Sequence, residues 1–160
     1  MKTKIRKYKP EDAEQVMMLW LEFIQDKEGS DLNIIATQEN AEKWMKFVEK
    51  ILDSKKGNLI VSIMGNNLVG YAFYAWSTSS LETKLKKGII YDLYVKPQFR
   101  NRGIGSALLE SALRDLNEHG CEIVQLTVIS ENTKAIKLYE KFGFEETVKV
   151  MRLRFSQNKY

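Results

Sequence analysis

Residues 89–105 read I-I-Y-D-L-Y-V-K-P-Q-F-R-N-R-G-I-G. The first seven, rich in β-branched and aromatic side chains and nearly free of polar ones, read as a strand covered on both faces. Lys96-Pro97 turns the chain, and a basic loop follows. From Gly103 the apolar spacing changes to that of a helix over 103–119. Leu109, Ala112, Leu113 and Leu116 fall on one face, and Ser106, Glu110, Arg114 and Asn117 on the other. Strand, glycine loop and helix start make an anion cradle in that order. The first helical N–H groups have no partner inside the helix, and the helix dipole adds partial positive charge there. Gly103 and Gly105 let a phosphate approach the backbone closely, while Arg100 and Arg102 bring full charges to the rim. A diphosphate is the anion this arrangement suits.

Two common phosphate motifs are excluded. The dinucleotide fingerprint needs a third small residue where Leu108 stands, and no Gly-Lys-Ser/Thr follows to complete a P-loop. What remains is R-x-x-G-x-G directly after a strand ending in L-Y-V.

Upstream, residues 2–7 read as an edge strand. Pro10 and Asp12 open a helix, with Asp12 as cap and Gln15 as its reciprocal partner. Ala13, Val16, Met17, Trp20 and Ile24 form the buried stripe of that helix. A second helix is predicted over 37–54, with Ala41, Trp44, Met45, Val48 and Leu52 inward. Strands at 59–64 and 68–76 flank the turn Gly65-Asn66-Asn67 as a hairpin. Downstream, Gly120 closes the long helix and 123–129 reads as a strand. Asn132 caps a helix over 133–142 that Gly143 ends, and 144–150 and 150–155 supply closing strand material. The order β-α-α-β-β-β-α-β-α-β, with one further strand at the end, predicts an α/β fold: a central mixed sheet with helices on both faces.

The chain has 160 residues and a formal net charge of +4. That length suits one domain, expected to span residues 1–160. No apolar run reaches the roughly 20 residues of a membrane span, and the basic N-terminus lacks the apolar stretch of a secretory signal. Cys121 is the single cysteine, so no intrachain disulfide forms, and a cytoplasmic location is expected. The single histidine, His119, has no ligand-spaced Cys, Asp or Glu, so no metal site is predicted. Lys84, Lys86, Lys87, Arg100 and Arg102 could attract nucleic acid, but a polyanionic cofactor accounts for the local basicity equally well.

The R-x-x-G-x-G element, together with Asn132, Tyr139 and the K-F-G-F run at 141–144, resembles the acyl-CoA-binding half of the GNAT superfamily of N-acyltransferases. Four features recur in order over about sixty residues, where a chance G-x-G would bring none of the others. The first half of the chain matches that family only in its order of elements.

The resemblance implies acetyl-CoA as cosubstrate and a primary amine as acceptor, whether a small amine, a polyamine or a protein amine. It implies that the strands at 89–95 and 123–129 splay apart to admit the cofactor. Leu93, Tyr94 and Val95 would pair with the pantetheine arm and give an N–H to the oxyanion. Arg100, Asn101, Arg102, Gly103, Ile104, Gly105 and Ser106 would cradle the diphosphate. Asn132 would contact the pantetheine arm while also capping its helix, since its amide has donors to spare. Tyr139, in L-Y-E-K-F-G-F, would protonate the departing thiolate, a role suited to an O–H with a pKa of about 10.

The base is less well specified. Some branches of the family carry a glutamate where Thr127 stands here. A polyamine-acetylating branch has an aspartate at the place of Asp92, but its neighbouring glutamate is Tyr91 in this chain. Asp92 can take the amine proton directly or through water, attract the ammonium group, or hold a strand bulge. Residues 26–36 and 77–88 are expected to shape the acceptor site, with Asp26, Glu28 and Asp31 hinting at a cation. Many family members dimerise, so a homodimer is expected by analogy. A cofactor-binding regulatory module without transferase activity is the alternative on the same fold.

Overall fold

Alternation along two long antiparallel strands places the helices. The computed structural model describes residues 3–26, 34–77 and 85–155. The loop residues Glu28, Asp31 and Lys84 therefore lie outside the described residues. Strands β2 (Gly57–Met64) and β3 (Asn67–Ser77) form the expected hairpin, with Gly65 at φ +62° in its turn. Leu59, Val61, Tyr71 and Phe73 point to one face, and Ile60, Ala72 and Tyr74 to the other, because side chains alternate along a strand. Two apolar cores result, one on each face of the sheet.

The first core is closed by α1 (Ala13–Gln25) and α2 (Gln38–Asp53) through Val16, Leu19, Trp20, Ala41, Met45 and Val48. Thr37 caps α2, its hydroxyl accepting from Asn40 N at 3.1 Å. The second core is closed by α3 (Ile104–Glu118), which buries Leu108, Leu109, Ala112 and Leu116 completely. Cys121 belongs to that core. The remaining elements are β1 (Lys4–Lys7), β4 (Lys87–Val95), β5 (Ile123–Leu126) and α4 (Thr133–Lys141). The sheet runs β1-β2-β3-β4-β5, antiparallel except for the parallel pair β4–β5 that α3 connects.

Three expectations are corrected. The box joining Asp12 to Gln15 does not form. Asp12 instead receives both guanidinium nitrogens of Arg6, at 2.6 and 2.9 Å, and the amide of Lys9 at 2.8 Å. Gln15 accepts from the Leu68 amide at 3.0 Å, which ties α1 to β3. The strand expected over 123–129 stops at Leu126, where its ladder with β4 ends. The closing strands expected over 144–150 and 150–155 are absent. Residues 145–155 are all exposed, and Met151, Leu153 and Phe155 are more than three-quarters accessible. An alternating pattern supplies strand faces, but a strand also needs a neighbouring ladder, and four-residue β5 gives little of one.

Candidate active site

The site originates in one extra residue on β4. Along the β3–β4 ladder Phe73 faces Asp92 and Tyr74 faces Ile90, leaving Tyr91 without an opposite number. A bulge of this kind bends its strand and sharpens the local twist. On its other edge β4 pairs with β5 from Lys87↔Ile123 as far as Ile90↔Leu126. Beyond that point the two strands part, at the bulge. The splay implied by the resemblance thus has a local cause in the sequence of β4.

A cavity of about 300 Å³ opens in this gap. Leu93, Tyr94 and Val95 line it from β4, and Thr127 and Val128 line it from the chain beyond β5. Asn101, Gly103, Ile104, Gly105 and Ser106 form one end, and Asn132, Leu138 and Tyr139 close the side under α4. Gly103 is the N-cap of α3 at φ +77°, a backbone conformation that favours glycine. The amide of Ala107 bonds to the Gly103 carbonyl, so the amides of Ile104, Gly105 and Ser106 are those the helix leaves without an intrahelical partner. A Cβ on Gly103 would meet nothing within 4 Å, and one on Gly105 would touch only Leu138 and Val95 at 3.7 and 3.9 Å. Free amides, a helix N-terminus and open space beside both glycines fit a diphosphate group.

Of the residues singled out in the sequence, Arg102 and Asp92 are not among those lining the cavity. The Arg102 guanidinium lies over the Phe99 ring at 5.6 Å. Arg100 lines the cavity but is held by protein partners. Its Nε donates to the Val95 carbonyl at 2.8 Å, another of its nitrogens bonds to Asp26, and its guanidinium lies over Tyr94. Lys96 pairs with Glu22 at 3.3 Å, so two ion pairs fasten the end of α1 to the β4–α3 connection. Asn132 caps α4, its Oδ1 accepting from the Ala135 amide at 3.1 Å. Lys134, Ala135, Leu138 and Phe23 also line the cavity and were missed. Lys134 and Ala135 could have been found from their place in the first turn after the Asn132 cap.

Tyr139 is partly buried with its ring edge against Phe144, and burial, followed by the charge of Asp92, pushes its pKa up to about 12. Asp92 turns to the α2 face of β4, where the Trp44 indole donates to its Oδ2 at 3.0 Å. Burial raises its carboxyl to about 7, against the opposing effects of Trp44 and Tyr71. The side-chain hydrogen bond that Asp92 makes therefore ties β4 to α2. Across β4, then, a weakly acidic phenol stands on one side and a carboxyl able to exchange protons near neutrality on the other.

A mixed sheet splayed beside a glycine-capped helix, with open space at both glycines, is the arrangement that the resemblance to N-acyltransferases implies. The family described as Acetyltransferase (GNAT) family matches residues 18–144, and the chain belongs to it. Its chemistry is acetyl transfer from acetyl-CoA to an amine. An N-alpha-acetyltransferase of Sulfurisphaera tokodaii is 35% identical over 76% of this chain and 74% of its own. Another N-alpha-acetyltransferase, from Saccharolobus solfataricus, is 33% identical over 58% of each chain. Among solved structures, an aminoglycoside N-acetyltransferase in complex with CoA superimposes with a TM-score of 0.72 at 20% identity, over 97% of this chain and 95% of that one.

Proposed function

We propose that this protein acetylates the α-amino group of a peptide or protein by direct transfer, with Asp92 receiving the amine proton and Tyr139 supplying one to the leaving group. The observation that carries this reading is the placement of Tyr139, the free amides of α3 and the open edge of β4 around one cavity. The names of the two N-alpha-acetyltransferase relatives favour the α-amine. Acidity favours it independently. An α-ammonium group with a pKa of about 7.7–8.0 lies close to a carboxyl near 7, whereas a lysine ammonium at about 10.4 lies far above it. Proton transfer to Asp92 is therefore much less uphill from a chain terminus.

Acetyl-CoA, when bound, supplies the electrophilic thioester carbonyl. Ile104, Gly105 and Ser106 would hold its diphosphate with backbone amides, and Asn132 its pantetheine arm with side-chain donors. The β4 backbone at Leu93, Tyr94 and Val95, which has no strand partner on the β5 side, would offer fixed amides to that arm and to the carbonyl oxygen. Tyr139 stays protonated at neutral pH, so its O–H can bond to the sulfur as negative charge develops there, although complete transfer to a thiolate with an ordinary pKa near 8.5 runs uphill.

The test is thiol release from acetyl-CoA with an acceptor panel: peptides with free α-amines, the same peptides blocked at the terminus but carrying lysine, a polyamine and an aminoglycoside. Release with the free-terminus peptides alone is expected. Preference for blocked lysine peptides or the polyamine would overturn the α-amine assignment. Cofactor binding without release on any acceptor would favour a catalytically silent module.

A further inference from the structure

Asp92 sits in an aromatic enclosure built by elements distant from it in sequence. Trp44, on α2, donates its indole N–H to Oδ2 at 3.0 Å. The indole has little freedom to aim elsewhere. It stacks on Trp20 at 5.6 Å with an interplanar angle of 21°, and it meets Tyr71 and Phe73 edge-on at 5.7 and 6.3 Å. Tyr71, on β3, is completely buried, and its hydroxyl makes no hydrogen bond of ordinary geometry. It is nevertheless close enough to Asp92 that, after burial, the carboxylate charge is the main influence holding the phenol well above its usual range. A sealed hydroxyl with no hydrogen bond beside a carboxyl is costly unless the two can engage when the carboxyl ionises.

We infer that Trp44 and Tyr71 are positioning residues of the acetyl transfer: the indole N–H and the phenol O–H seat the Asp92 carboxylate, fixing its orientation and its readiness to accept a proton. This rests on the reading of Asp92 as proton acceptor. Burial alone would protonate such a carboxyl across the neutral range, and the Trp44 indole on Oδ2 together with the neighbouring Tyr71 phenol opposes that. The groups acting on it are Trp44 from α2 and Tyr71 from β3, and its charge is felt in turn by Tyr139 across β4. In this arrangement α2 takes part in the chemistry, because the α2 side chain that builds the first core also holds the base.

The experiment uses the full chain labelled with ¹⁵N. Tryptophans 20, 44 and 76 give three indole N–H signals, and that of Trp44 is assigned by its loss in Trp44→Phe. Its shift should titrate with a midpoint near 7 in the parent and lose that step in Asp92→Asn. The pH dependence of kcat/KM is then measured for both Trp44→Phe and Tyr71→Phe. Each should move the acidic limb upward by about one pH unit, the loss of a charge-assisted donor, with a fall in kcat and little change in KM for acetyl-CoA. Tyr71→Phe deletes one oxygen and opens no cavity, so it carries the test should Trp44→Phe fold poorly. A purely structural role would lower the melting temperature and leave the limb in place. An unmoved limb in the folded variants, or an indole signal indifferent to Asp92→Asn, overturns the inference. A limb that survives Asp92→Asn instead overturns the assignment of Asp92 as base, and so separates the two failures.

Discussion

The acid role proposed for Tyr139 places two demands on the residue. It must reach the cavity, which it lines, and it must not ionise there, which its partial burial and the nearby Asp92 charge ensure. Its hydroxyl makes no hydrogen bond to the described residues, so Tyr139→Phe removes only the O–H and retains the ring contact with Phe144. General-acid assistance is typically worth about 10²–10⁴ in rate. Turnover should therefore fall at least tenfold, with acetyl-CoA affinity almost unchanged. Steady-state kinetics and cofactor titration on one preparation check both, and parental turnover at saturating acetyl-CoA would leave Tyr139 as a packing residue. Asn132 and Tyr139, which the family resemblance singled out within one local motif ending at Gly143, both line the cavity. The partnership of Trp44 with Asp92 was not legible in the sequence, because 48 residues separate them and only the tertiary fold brings α2 against β4. Trp44 read as a core residue, which it is, and periodicity has nothing to say about the direction of an N–H.

At the scale of elements, the strand–loop–helix unit was readable because both its signals are local: the change of period near residue 103 and the glycines needed at the turn. The cradle gives a clean test at Gly105. A side chain there would meet Leu138 and Val95 at ordinary contact distance, and valine is no worse than glycine in a helix. Gly105→Val should fold with a melting temperature close to the parent's. It should lose most of the stabilisation that saturating acetyl-CoA gives the parent, a shift that ligand linkage sets at about 2.7 kcal/mol for ligand at a hundredfold its Kd. Thermal melts with and without acetyl-CoA measure this, and an undiminished shift would place the diphosphate elsewhere. The end of β5 and the residues after Gly143 were misread for a shared reason. In 151–155, M-R-L-R-F alternates as a strand would, but pairing depends on what lies alongside. The bulge at Tyr91 that opens the site also ends the β4–β5 ladder at Leu126. The feature that makes the cavity therefore removes the template that the sequence pattern presupposes.

For the molecule as a whole, a carboxyl lodged between sheet and helices makes stability depend on pH. Asp92 in the folded protein has its carboxyl raised to about 7 by burial, while in the unfolded chain it returns to an ordinary value of about 3.9. A folded-state pKa above the unfolded one means that the native protein binds more protons between those values. The contribution of this group is then fully favourable below pH 4 and is lost as pH rises through 7. Well above pH 7 the ionised form costs the fold of the order of 4 kcal/mol relative to that limit. Asn at this position keeps an oxygen for the Trp44 indole and has no charge to bury. Asp92→Asn should therefore be inactive or nearly so, yet more resistant to heat than the parent at pH 8, with the difference shrinking towards pH 5. Comparing melting temperatures of the two proteins at matched pH isolates Asp92 from every other titrating group. The gap should widen by several degrees between pH 5 and pH 8, since about 1 kcal/mol corresponds to 2–4 °C in a chain of this length. A gap that stays constant with pH would mean that the folded protein holds Asp92 at an ordinary acidity, and would remove it as a group poised to take a proton near neutrality.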